Sequence, residues 1–102
     1  MIYVYLIQSQ EDGYYKIGVS KHPNKRVKQH QTGNPSELKV VHTYLSEHAR
    51  KIETTLKNRY SYLKKEGEWF NLSIKEDVSF LSDCKKIEET FEVLKKSGNV
   101  FI

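Results

Sequence analysis

Five polar side chains between Tyr5 and Glu53 are of types that handle phosphate, water and protons. Arg26 and His30 stand four residues apart in a segment that reads as a helix, so a guanidinium and an imidazole share one face. Tyr5 and Lys16 sit in two strand-like runs, IYVYLIQ at 2–8 and YYKIGV at 14–19, joined by a polar connection ending in Asp12-Gly13. A two-residue turn there pairs positions of odd sum, placing Tyr3, Tyr5 and Ile7 on one face with Tyr14, Lys16 and Gly18. A four-residue loop keeps that parity. Glu53 belongs to a second helical segment and, at about 100° per residue, falls on the edge of its apolar stripe. A carboxylate lying half against a core is desolvated unless it is metal-bound or paired, as Lys57 at i+4 would do.

The elements that must position these groups follow from pattern and punctuation. Ile2, Val4, Leu6, Ile17 and Val19 line the other face of the hairpin and form the expected core. Pro23 to about Thr32 reads as a short helix, with proline in the first turn and Gly33-Asn34-Pro35 as the stop. Its only aliphatic residue is Val27, so its polar faces go to solvent or to a ligand. Leu38 to Leu45 reads as a third strand. Ser46 offers an N-cap to a long helix running to about Lys64, with Ala49, Ile52, Leu56, Tyr60 and Leu63 at helical spacing.

Glu68-Trp69-Phe70-Asn71 is a short aromatic segment whose Trp69 and Phe70 read as core plugs, and Ser73 to Glu76 is a capping box. Beyond it, Ile74, Val78 and Leu81 form one stripe while Phe80, Cys84, Ile87, Phe91 and Leu94 form another rotated from it. Two helical pieces broken near Ser82-Asp83 are therefore expected, ending at Ser97-Gly98, with Val100-Phe101-Ile102 docking as a strand or fraying. The expected class is α+β: a small three-stranded antiparallel sheet flanked by helices. Residues 1–72 form the core and 73–102 a C-terminal helical extension packed on the same single domain.

Composition narrows the functional classes. The chain has 102 residues, 37% hydrophobic and 29% charged, enough for one core and too apolar for disorder. No run approaches the roughly 20 apolar residues of a membrane span, and the opening lacks the basic flank of a signal peptide. The single cysteine, Cys84, can form neither an internal disulfide nor a cysteine-rich zinc site and reads as a buried hydrophobe. His22, His42 and His48 show no zinc spacing and read as structural. A soluble protein of a reducing compartment, not visibly exported, is expected.

Charge is uneven: residues 1–60 hold ten basic and five acidic side chains, whereas 61–102 sum to −1. From Gly13 to Ser36 there are five basic residues (Lys16, Lys21, Lys25, Arg26 and Lys28), two histidines and no acid. That is a field suited to a polyanion, or else a solvated face that aids solubility.

Together the hairpin, the Arg26-x-x-x-His30 helix, the third strand and the Glu53 helix resemble the GIY-YIG nuclease domain over about the first 72 residues. Tyr3-Val4-Tyr5 resembles its first signature and Lys16-Ile17-Gly18 its second, with lysine where the family name has tyrosine. Glu53 stands at the place of the metal-binding glutamate and Asn71 at that of a late asparagine. KIGVS, RVKQHQTGNP and GEWF are similar to a phage-associated branch often described as a DNA-binding domain. That branch usually has histidine after the leucine of its E-x-x-L-H run, where Lys57 follows Leu56 here.

The resemblance implies a metal-dependent endonuclease hydrolysing DNA phosphodiester bonds, with duplex DNA as partner and Tyr5, Lys16, Arg26, His30 and Asn71 as catalytic residues. Glu53 would hold one Mg or Mn ion, and Arg26 would clamp phosphate oxygens. Tyr5 would act as general base or orient the attacking water, and His30 would relay a proton or hydrogen-bond Tyr5 or the phosphate. Lys16 would lower the tyrosine pKa or bind phosphate, Gly18 would leave room for the nucleic-acid backbone, and Lys21, Lys25 and Lys28 would contact nucleic acid. Specificity would be weak, or supplied by homodimerisation or a partner. The alternative is a nucleic-acid-binding module of the same fold with weak or no catalysis. A third reading is an interaction protein whose basic face is incidental.

Overall fold

The computed structural model describes residues 1–98, so the expectation for Val100, Phe101 and Ile102 lies outside the described residues. Strands β1 (Ile2–Ser9) and β2 (Tyr15–Ser20) form the expected hairpin, with Tyr5 opposite Gly18 and Ile7 opposite Lys16. Its loop comprises residues 10–13 and is not a two-residue Asp12-Gly13 turn. The Ser9 N–H donates to the Tyr14 carbonyl at 2.9 Å and the Gly13 N–H to the Ser9 carbonyl at 2.8 Å. Gly13 supplies the left-handed residue this closure needs, at φ 78°. The longer loop keeps the odd-sum pairing, so the assignment of faces stands.

Strand β3 (Leu38–Ser46) pairs with the other side of β1, with an irregularity in register at Leu6/Ile7. The aromatic segment adds a fourth strand, β4 (Trp69–Phe70), giving the order β3-β1-β2-β4 where three strands were expected. Gly67, at φ 63°, turns the chain into β4, and the Lys65 N–H closes the turn on the Trp69 carbonyl at 2.8 Å. Strand alternation then sends Phe70 to one face, beside Tyr15, and Trp69 to the other, beside Lys16.

Both faces of the sheet are covered. Val4, Leu6, Tyr15 and Ile17 pack against Ala49, Ile52 and Leu56 of α2 (Ala49–Arg59) and Phe80, Cys84 and Ile87 of α3 (Ile74–Lys96). The tyrosine face carries a second, smaller core of Tyr5, Ile7 and Leu38, covered by Val27 of α1 (Pro23–Thr32) with Val40 and Trp69. Gln31 fastens the end of α1 to β3: its amide donates to the Ser36 carbonyl at 2.7 Å and accepts from the Leu38 N–H at 2.8 Å. Val27 and Gln31 thus help to hold helix α1 across the sheet, and Lys25, Arg26 and Lys28 are exposed.

Two helix boundaries differ from expectation. Helix α2 stops at Arg59 and gives way to a 3-10 turn, Ser61–Leu63, because the chain must reverse to bring β4 alongside β2; the Asn71 N–H bonds the Leu63 carbonyl at 2.8 Å. It also starts at Ala49, with Ser46 Oγ accepting the His48 N–H at 2.9 Å. Helix α3 is one continuous element, opened by the expected capping box of Ser73 and Glu76. Asp83 does not break it, since its carboxylate accepts from Ser79 Oγ at 2.9 Å within the helix.

Acidic residues of α3 clasp the sheet. The Tyr15 hydroxyl donates to Asp77 at 2.6 Å and the Tyr44 hydroxyl to Glu88 at 2.7 Å, while His42 and His48 lie 2.9 and 2.6 Å from Asp77 and Glu92.

Candidate active site

Strand β4 covers only Tyr15 and Lys16 of β2, so the stretch from Gly18 to Ser20 is left as a sheet edge. Helix α1 crosses one face and α2 the other, and between them this edge opens into a cavity of about 410 Å³. Tyr5 from β1, Lys16 and Gly18 from β2, Arg26 and His30 from α1, and Glu53 from α2 all line it. Asn71 is exposed after β4 and is not part of this lining. Lys21 and Lys25 line a separate cavity of about 570 Å³ at the start of α1, with Tyr3 and Thr43, while Lys28 is exposed on the helix.

Tyr5 is the buried member, 2% exposed, and its ring lies directly over Gly18. A Cβ built on Gly18 would stand 2.3 Å from the Tyr5 hydroxyl oxygen and 2.4 Å from Cζ. The bare glycine therefore seats the phenol and does not leave room for a nucleic-acid backbone, which corrects the expectation for that position. Gly18→Ala is expected to lower stability by about 1–3 kcal/mol through overpacking. Tyr5→Val in the same background should recover part of the loss, and a double-mutant cycle in thermal unfolding measures this coupling.

The Tyr5 hydroxyl and His30 Nε2 lie 3.4 Å apart. Burial pushes the Tyr5 pKa up; a hydrogen bond and charge from Arg26 pull it down, Glu53 and Glu68 push it up again, and the net shift is upward. Tyr5 therefore keeps its proton at neutral pH. The Lys16 ammonium pairs with Glu68 at 3.4 Å and sits 5.9 Å from the centre of the Trp69 ring. His30 moves the other way. Burial, then the cations Lys16 and Arg26, hold it below its ordinary value, so it is neutral at pH 7 and can accept a proton.

Of the two alternatives open for Glu53, the structure shows the ion pair. The residue faces the shared cavity with its side chain 19% exposed, and its carboxylate pairs with Lys57 of the next helical turn at 3.4 Å. Three charged residues absent from the sequence-based site also line the cavity: Arg50, Lys57 and Glu68. Arg50 is legible after the fact, being one turn before Glu53. Glu68 becomes legible only once β4 is paired with β2, because that register sets it beside Lys16.

The donor set suits a hard divalent cation in part. Glu53 offers carboxylate oxygen, the cavity has room for water ligands, and no cysteine lines it. Loading would require Lys57 to release Glu53. Among the described residues, one group of three side chains could hold a metal ion, Glu47, His48 and Glu92, and it shares no residue with this cavity. No helix of the described residues is long and apolar enough to cross a membrane.

A family model described as the T5orf172 domain matches residues 1–90. No curated protein and no solved structure matches the chain.

Proposed function

The chain belongs to the T5orf172 domain family, a phage-associated, nuclease-related family, and on that footing we propose that it is a metal-dependent endonuclease hydrolysing DNA phosphodiester bonds. The observation that carries this reading is the meeting of Tyr5, Arg26, His30 and Glu53, from three different elements, around one cavity that also holds Lys16.

In this reading the Arg26 fork takes two non-bridging oxygens of the scissile phosphate, and Lys16 adds a second positive charge. Tyr5 orients the attacking water. As the water oxygen bonds to phosphorus, its proton passes to the phenol oxygen and the phenol's own proton passes to neutral His30. A free phenolate never forms, which agrees with a tyrosine pKa moved up and a histidine pKa moved down. Glu53, freed from Lys57, would hold Mg or Mn. Bound there, the cation would neutralise charge on the phosphate and the departing oxygen. Lys21, Lys25 and Lys28 extend the positive field for flanking phosphates.

The relay has a pH signature. His30 must be neutral, and burial with the charges of Lys16 and Arg26 holds its pKa below that of an ordinary imidazole. The acid limb of the nicking rate is thus expected to lie lower than an ordinary imidazole would set it. Lys16→Gln removes a cation that depresses His30, so the acid limb should move upward. A rate profile on supercoiled plasmid checks both; an acid limb that Lys16→Gln leaves in place counts against the relay.

The Glu53–Lys57 ion pair favours a second reading, a nucleic-acid-binding module whose metal ligand is occupied by its own lysine. Plasmid nicking in Mg or Mn separates the two. Cleavage by wild type and not by Glu53→Ala supports the enzyme, whereas DNA binding without cleavage by wild type supports the module.

A further inference from the structure

Two ammonium groups in the cavity already hold an anion. Lys16 Nζ lies 3.4 Å from one Glu68 oxygen and Lys57 Nζ 3.9 Å from the other. These are the only ion-pair partners of Glu68 among the described residues, and its side chain is 60% exposed. Lys57 holds its carboxyl below the ordinary range, burial opposes this, and Lys16 adds to the lowering. The same charge pushes up both Tyr5 and His30, so it is felt at both ends of the proposed proton relay.

A carboxylate and a phosphodiester each present oxygens bearing one negative charge. Two such anions cannot occupy one seat between the same lysines without strong repulsion. We infer that Glu68 is a positioning residue that fills the phosphate seat of the free protein, keeping Lys16 and Lys57 in place, and yields it to a backbone phosphate on binding. This rests on the nucleic-acid reading of the cavity. Its exposure allows the side chain to rotate outward without disturbing the core or the β2–β4 pairing.

Displacement leaves a mark on salt dependence. Each phosphate neutralised by a lysine releases counterions and adds about 0.9 to the slope of log affinity against log salt. When the phosphate first evicts Glu68, the freed carboxylate gathers a cation from solution and cancels much of that release. Removing the carboxylate should restore the full slope.

The experiment measures binding of a fluorescent DNA duplex in EDTA over a salt series, comparing wild type, Glu68→Gln and Glu66→Gln. The last variant removes one exposed negative charge outside this cavity and controls for net charge. Glu68→Gln is expected to bind roughly tenfold tighter at low salt, with a slope steeper by about 0.9, and Glu66→Gln to stay near wild type. Lys16→Gln should weaken binding more in the Glu68→Gln background than alone. An unchanged slope for Glu68→Gln, or equal effects of Glu66→Gln, overturns the inference and leaves the nucleic-acid reading standing. Absence of DNA binding by every protein overturns both.

Discussion

Arg26→Ala is expected to slow plasmid nicking by about a hundredfold to a thousandfold while leaving the fold intact. The size follows from what the guanidinium alone supplies: a planar fork of donors next to the phenol, able to follow charge as it develops on non-bridging oxygens. Its independence from folding follows from its surroundings. The side chain is exposed, and its hydrogen bond within α1 is a long one, 3.5 Å to Gln29. Unfolding free energies should therefore agree within about 0.5 kcal/mol. Arg26→Lys should recover little of the rate, because a single ammonium lacks the bidentate geometry. Loss of Arg26 also removes a charge that lowers both Tyr5 and His30, so the acid limb of the variant's residual activity should lie higher than that of wild type. A variant that nicks DNA as fast as wild type would remove Arg26 from the chemistry.

The ability to read this site from sequence divides along a physical line. Arg26 with His30, and Glu53 at the margin of an apolar stripe, are legible because helical periodicity is local: spacing alone fixes which face a side chain shares. The parity of the hairpin is legible for the same reason, and it withstood a wrong choice of turn because two- and four-residue loops keep the same faces. Glu68 is not legible in that way. Its place depends on β4, a strand of two residues defined wholly by pairing with β2. The stacking of Tyr5 on Gly18 is likewise a cross-strand contact, invisible until register is set. It reverses the meaning of the glycine, from space kept for a ligand to space filled by the protein's own phenol.

Phe80→Ala is expected to cost about 3–5 kcal/mol, a large share of the roughly 5–15 kcal/mol that holds a domain of this size. Sequence periodicity gave α3 two apolar stripes of similar standing, and only burial ranks them. Phe80 is fully buried, in the same core as Val4, Leu6 and Leu56, and stacks on His42 with ring centroids 5.8 Å apart. Ile74 and Val78 are each 76% exposed. Because the first stripe needs no partner, the helix need not kink to bury both, and it runs unbroken with the second stripe inward. Ile74→Ala and Val78→Ala should then change stability by less than about 0.5 kcal/mol. Truncating Phe80 also frees His42, whose Nε2 lies 2.9 Å from Asp77, so the loss includes loosening of a polar clasp between α3 and β3. The midpoint of thermal unfolding should fall by about 12 °C or more, in a single transition followed at both the tryptophan and the helical signal. Two separated transitions would instead mean that α3 unfolds on its own, and that the sheet with its cavity-lining edge holds together without it.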